Sequence, residues 1–320
     1  MRSLSLALAL CGALIATAAA AETRTTSDVY PPWSGGANSD VGDKGLEFTV
    51  PEVDNLPDFH GNPMTSKLSL FVGGNYFFAM APLVKAFEAK HPEFNGRIYW
   101  ETIPPGLLVK QIQAGGTITV GNMTWTVKAD AYFAGLKKIE QLVKDGLLAA
   151  PAVPYVTNTL TIMLPKDNPA KIASLADLGK PGVRLVMPNP EFEGIARQIK
   201  AALNKAGGEA LVKAVYQDKV ANHETTLTHI HHRQSPLYLM LGRADAGVTW
   251  QSEAMFQEQA GHPITHVDIP DEVNATAIYA GAVVAGAPHP EAAKLWLDFI
   301  RSPEALKIFE GYGFKAYRGG

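Results

Sequence analysis

From Lys67 onward the chain alternates short apolar runs with stretches whose apolar residues recur every three or four positions. Leu68-Ser69-Leu70-Phe71-Val72, closed by Gly73-Gly74, reads as a strand. Met80, Leu83, Val84 and Phe87 mark one face of a helix, with Pro82 tolerated in its first turn. Arg97-Ile98-Tyr99-Trp100 predicts a second strand and Leu107 to Ala114 a second helix. Lys137 to Asp145 predicts another helix, ended by Gly146. The run 159–164 is a long strand, Ser174 to Asp177 opens a short helix with a capping pair, and 183–187 is a strand. Ile195, Ile199 and Leu203 place a helix behind it. Strands follow at 246–250 and 278–284. Two helices close the chain, one over 290–300 and one opened by Ser302-Pro303. Repeated strand–helix units imply an α/β fold with parallel sheets covered on both faces.

The first 66 residues break this rhythm. Met1-Arg2-Ser3, an apolar run from Leu4 to Ile15 and the small residues 16–21 have the form of a secretory signal peptide, residues 1–21, cleaved after Ala21 or one residue earlier. The apolar run is too short to span a bilayer. Leu10 precedes Cys11 where a lipoprotein signal wants a small residue. Residues 22–66 carry Pro31-Pro32, Gly35-Gly36, Pro51, Pro57 and Pro63 without a sustained period. They read as an extended N-terminal arm with one strand at 47–50, docked through Trp33, Phe48 and Phe59; a flexible leader is the alternative.

Composition narrows the function. Cys11 is the single cysteine, so cleavage leaves no thiol for a disulfide, a thiolate metal site or a nucleophile. The 28 basic and 31 acidic residues give a net charge of −3, and −4 (27 against 31) once Arg2 leaves with the signal peptide. That balance disfavours nucleic acid as a partner. No further segment reaches spanning length, so the mature chain is expected to be exported, without a membrane span. There is no Gly-x-Ser-x-Gly elbow, phosphate-cradling glycine loop or His-Glu-x-x-His pattern, so an enzyme is not expected.

Several segments resemble the periplasmic molybdate-binding proteins of ABC importers, and more broadly the two-lobed solute-binding proteins. They are Ala129-Asp130-Ala131-Tyr132-Phe133 with Leu142 to Leu148, "NTLTIMLPKDNP" at 158–169, "SLADLG" at 174–179 and "GRADAGVTW" at 242–250. The strongest is "HPEAAKLWLDFIRSPEALKIFEGYGF" at 289–314. The resemblance implies two lobes, each a mainly parallel sheet flanked by helices, joined by two hinge strands at 158–164 and 246–250. Lobe one would take 67–155 plus about 275–320, and lobe two 156 to about 274. It implies ligand capture by hinge closure and delivery to a membrane permease.

The family holds an oxyanion with hydroxyls and backbone N–H groups at helix starts, which suits a group that only accepts hydrogen bonds. Its first Ser position corresponds here to Gly73-Gly74-Asn75-Tyr76, so Asn75 and Tyr76 are candidates; a plain turn is the alternative. Its second corresponds to Thr102 to Gly106, without a Ser, leaving the Thr102 hydroxyl and the Gly106 N–H or again a simple turn. Thr124 in Thr124-Trp125-Thr126 is either a cleft wall or part of a half-buried strand. Trp250 and Gln251 stand where the family places a ligand-contacting Tyr, and packing at the hinge is the alternative. Glu193, ahead of a helix, is a cation ligand or a first-turn acid.

The most unusual segment is His229-Ile230-His231-His232-Arg233, with four histidines within 223–232. Arg233 and a donating His231 or His232 would hold an oxyanion. Alternatively His229, His231 and His232 would ligate a transition metal, with Glu193 or Glu224 adding oxygen. A surface cluster with an interlobe ion pair is the third option. The metal alternative extends to a secreted metal-dependent hydrolase, or to a metal chaperone or sensor; otherwise no cofactor is implied.

Overall fold

The computed structural model describes residues 58–319, apart from 121–122, 192 and 229–230. The expected signal peptide, most of the arm with its 47–50 strand, and His229 lie outside the described residues. The described end of the arm is a short strand, Phe59–His60. It pairs antiparallel with the edge strand Ile98–Ile103.

Each half of the molecule has a parallel centre. In the first, Leu68–Gly73 lies parallel to Ile98–Ile103 on one side and Ala131–Gly135 on the other. In the second, Leu185–Met187 lies between Ala246–Trp250 and Thr225–Leu227, parallel to both. The two are joined by one strand of 13 residues, Val153–Pro165. Its residues 153–159 pair antiparallel with Thr276–Val283 of the first half. Its residues 160–165 pair antiparallel with Ala246–Trp250 and Ile264–Asp268 of the second.

Side-chain periodicity explains why these segments pack as they do. On the joining strand, Leu160, Ile162 and Leu164 point into one core and Met163 into a separate cluster on the other face. Ala293, Trp296, Leu297 and Ile300 form the buried stripe of helix Pro290–Phe299 in the first core. Ser302 Oγ accepts from Ala305 N at 3.3 Å, capping helix Pro303–Glu310. Gly146 adopts φ +74 directly after helix Leu136–Lys144, the left-handed stop its position predicts.

Two details differ from expectation. Pro82 lies inside helix Phe77–Lys90, because the helix starts at Phe77, earlier than its apolar stripe indicates. Ala246–Trp250 does not recross between the halves, since all its pairing is within the second sheet. A buried apolar run looks the same in sequence whether or not it crosses. The chain recrosses after Asp268, where Asn274 clamps it to the first crossing. Asn274 Nδ2 donates to Leu160 O at 3.0 Å, and its Oδ1 accepts from Leu160 N at 3.1 Å.

Candidate functional site

Three elements of the second half aim titratable groups at one another. Glu193 precedes helix Ile195–Lys213. His231, His232 and Arg233 lie on the tight turn that leads into helix Ser235–Met240. Glu253 sits in the first turn of helix Gln251–Gln259. All five side chains are buried.

Glu193 is the hub. Its Oε2 accepts from His232 N at 2.6 Å and from His232 Nδ1 at 2.8 Å. Its Oε1 accepts from Asn189 N at 3.0 Å and from the Thr228 hydroxyl. On its other edge, His232 Nε2 faces Glu253 Oε2 at 3.2 Å. This is close enough for charge pairing, although the angle forms no hydrogen bond. Glu253 Oε2 also accepts from the Thr249 hydroxyl and from Trp250 N. Burial disfavours charge on His232, but the Glu253 and Glu193 carboxylates outweigh it and push its pKa up to about 9. His231 has the opposite fate. Burial, with the positive charges of His232 and Arg233, holds it well below the usual histidine range. It is therefore neutral, and its Nδ1 accepts from Arg233 N at 3.2 Å.

Arg233 carries the cluster across to the first half. Its Nη1 donates to Thr102 O at 3.2 Å, and its guanidinium carbon lies 3.8 Å above the Phe77 ring. A Cβ on Gly74 would lie 3.4 Å from Nη1, in ordinary van der Waals contact, so the guanidinium packs directly over that glycine. Beside it, Phe77, Phe78, Met163, His232, Arg233, Thr249, Glu253 and Phe256 line a cavity of about 10 Å³. That is near the minimum for a single water, so a larger solute requires the halves to part.

The predicted residues divide into those gathered here and those engaged elsewhere. Glu193, His231, His232 and Arg233 converge. Thr102 joins them only by its carbonyl, because its hydroxyl donates to Asp58. Asn75 Nδ2 donates to the Tyr279 hydroxyl. Tyr76 is held in the first core by its hydroxyl bond to Tyr155. Gly106 is exposed on the first turn of helix Pro105–Gln113. Thr124 is exposed on the hairpin Thr117–Val120/Met123–Thr126, bonded to Thr119 at 2.8 Å. Trp250 is packed in the second core. Gln251 bonds Thr159 and Asp268, bracing the joining strand. Glu224 pairs with Lys219 at 2.8 Å, apart from the histidines. Sequence reasoning missed Glu253 and Phe77. An acid three residues into a helix reads as a dipole partner, and a Phe at a helix start reads as core.

The cluster has the donor set for a metal: ligand atoms of Glu193, His231 and His232 lie within 4.8 Å of one another. In this geometry each is already engaged. Glu193 binds His232, His232 carries the proton that a ligating nitrogen must lose, and His231 Nδ1 holds Arg233 N.

A pH signature follows. The folded pKa of His232 lies above its ordinary 6.5, so its contribution is complete below about pH 6.5 and lost as pH rises through about 9. The loss amounts to about 3 kcal/mol. His231 acts in the other direction, its stability falling away below about 6.5. Urea denaturation across pH 6.5 to 9 is expected to show the alkaline decline in the native protein and its absence in His232→Gln. Equal slopes in both proteins would contradict a charged His232.

Comparison with known proteins places this architecture. The family model described as bacterial extracellular solute-binding protein matches residues 68–315. The chain belongs to that family. It is similar to the molybdate-binding protein ModA of Mycobacterium bovis, 26% identical over 240 residues, covering 74% of this chain and 82% of ModA. It is also similar to a sulfate-binding protein of Synechocystis, 25% identical over 246 residues, covering 72% and 69%. In fold it matches the sulfate-binding protein SubI of Mycobacterium tuberculosis, with a TM-score of 0.63 at 21% identity, covering 78% and 87%. This solute-binding protein is of the ABC-importer type, and its family members serve transport, not catalysis. The two-lobed α/β architecture read from the sequence is the one found. Among the described residues, no helix is long and apolar enough to cross a membrane.

Proposed function

We propose that this solute-binding protein captures a small anion between its halves and passes it to an ABC importer permease. The observation that carries the reading is Arg233: a guanidinium rooted in the second half that reaches Thr102 O and the Phe77 ring of the first. An anion held there touches both halves and favours a closed form, one in which this cavity is wider than here, which shifts the population toward closure. The planar fork of arginine suits oxyanions and carboxylates. Relatives named for molybdate and sulfate support an anion, and molybdate or tungstate remain within the class. The moving bodies are 67–155 with about 275–320, and 156 to about 274. The leader at 1–21 directs the protein to the periplasm.

The test is a set of thermal melts of the mature protein with molybdate, tungstate, sulfate, phosphate, arsenate, small carboxylates, Zn²⁺, Cu²⁺, Ni²⁺ and Fe³⁺. A native-state ligand at a hundred times its Kd adds about 2.7 kcal/mol, roughly 4 °C for a protein of this size. A shift with an anion, accompanied by compaction in solution scattering, is expected. A second reading, a transition metal on Glu193, His231 and His232, rests on the proximity of their ligand atoms. It prevails if only metals shift the melt.

A further inference from the structure

The cavity beside Arg233 has a feature that a bare oxyanion does not use. Glu253 is 5% exposed. Its Oε2 is engaged by Thr249 and Trp250 N, whereas its Oε1 is buried with no hydrogen-bond partner among the described residues. An unsatisfied buried carboxylate oxygen is costly, and the group that satisfies it must be a donor. On the same cavity wall stand the donors: the Arg233 guanidinium, and His232 Nε2, which faces Glu253 Oε2 at 3.2 Å without hydrogen-bond geometry. Phe77, Phe78 and Phe256 close the remaining side with apolar surface. The cavity thus offers cationic donors to one part of a solute and a lone acceptor to another.

We infer that the captured anion carries its own O–H, donated to Glu253 Oε1 while its charged oxygens face Arg233 and His232. This rests on the anion reading above and narrows it. Fully deprotonated sulfate and molybdate have no proton to offer. They would set an oxygen lone pair against the carboxylate, with Glu193 adding a second negative charge behind it. Hydrogen phosphate, hydrogen arsenate and hydroxycarboxylates have the donor.

Matched pairs make the test. Hydrogen phosphate and sulfate are both dianions at mildly alkaline pH and differ by one proton. Lactate and propionate differ by one hydroxyl. Calorimetric titration of the native protein is expected to favour the donor-bearing member of at least one pair by tenfold or more, on the order expected when a buried polar group would otherwise stay unpaired. The pair that responds distinguishes an inorganic from an organic solute. Glu253→Gln, whose amide supplies a donor as well as an acceptor, is expected to shrink that preference to about threefold or less. If sulfate or molybdate binds as tightly as phosphate, and propionate as tightly as lactate, the inference fails while the anion reading stands. If no anion binds, both fail. Because the native protein's own selectivity decides the matter, a misfolded variant does not spoil the test.

Discussion

Arg233→Ala should weaken anion binding by roughly 30- to 5000-fold, the range for removing one partner of a buried, hydrogen-bonded charge contact. Several losses coincide. The guanidinium is the bridge between Thr102 O and the second half, and it stacks on Phe77. Without it, a bound anion would meet the Glu193 and Glu253 carboxylates with only His232 to offset them. Arg233→Lys is the informative companion. It keeps the charge but not the planar fork or the flat contact with the ring, and should recover less than about a tenth of the lost affinity. Titration with the best anion from the melting panel measures both. Native-like affinity in Arg233→Ala would remove the anion site from this cleft.

The second large effect concerns stability. Glu193→Ala takes away the acceptor of four donors at once: two backbone N–H groups, the Thr228 hydroxyl and the ring of His232. It also leaves a buried imidazolium with Glu253 alone. Removing one member of a buried ion pair costs about 3–5 kcal/mol. A loss of that size is expected in the unfolding free energy of Glu193→Ala from urea titration at neutral pH. Glu193→Gln retains an acceptor and should lose about half as much. A loss under about 1 kcal/mol would mean that the hub is better hydrated than its burial implies.

Much of the fold was legible because it is written locally. Leu68, Leu70 and Val72 alternate as a strand face, and Ala293, Trp296 and Ile300 recur as a helix face, so each element announces its type and its buried side. The histidine–arginine segment was legible because such clustering is rare and a Ser-Pro pair marks the helix behind it. What could not be read is pairing across distance. Asn75 and Thr102 are credible donors in isolation, yet their partners, Tyr279 and Asp58, lie 204 and 44 positions away. Nothing near either residue shows that it is already engaged. Glu253 failed in the opposite sense. Its local context supplies a sufficient structural reason for an acid, which hides the second oxygen. The recrossing was misplaced for a similar cause, since the sequence of Ala246–Trp250 specifies burial but not which strand lies beside it.

The threading of the chain also bears on the order in which its cores close. Every buried residue of the core around Leu160, Met187 and Trp250 precedes position 270. The first core instead draws on both ends: Leu68 and Phe87 at one, Trp296, Phe309 and Phe314 at the other. Strand Thr276–Val283, moreover, sits between Ala131–Gly135 and the joining strand, in the interior of the sheet. A polypeptide emerging N-terminus first from a translocation channel could therefore complete its later-encoded half while the earlier one still lacks an interior strand. The half that begins first would be the last to finish.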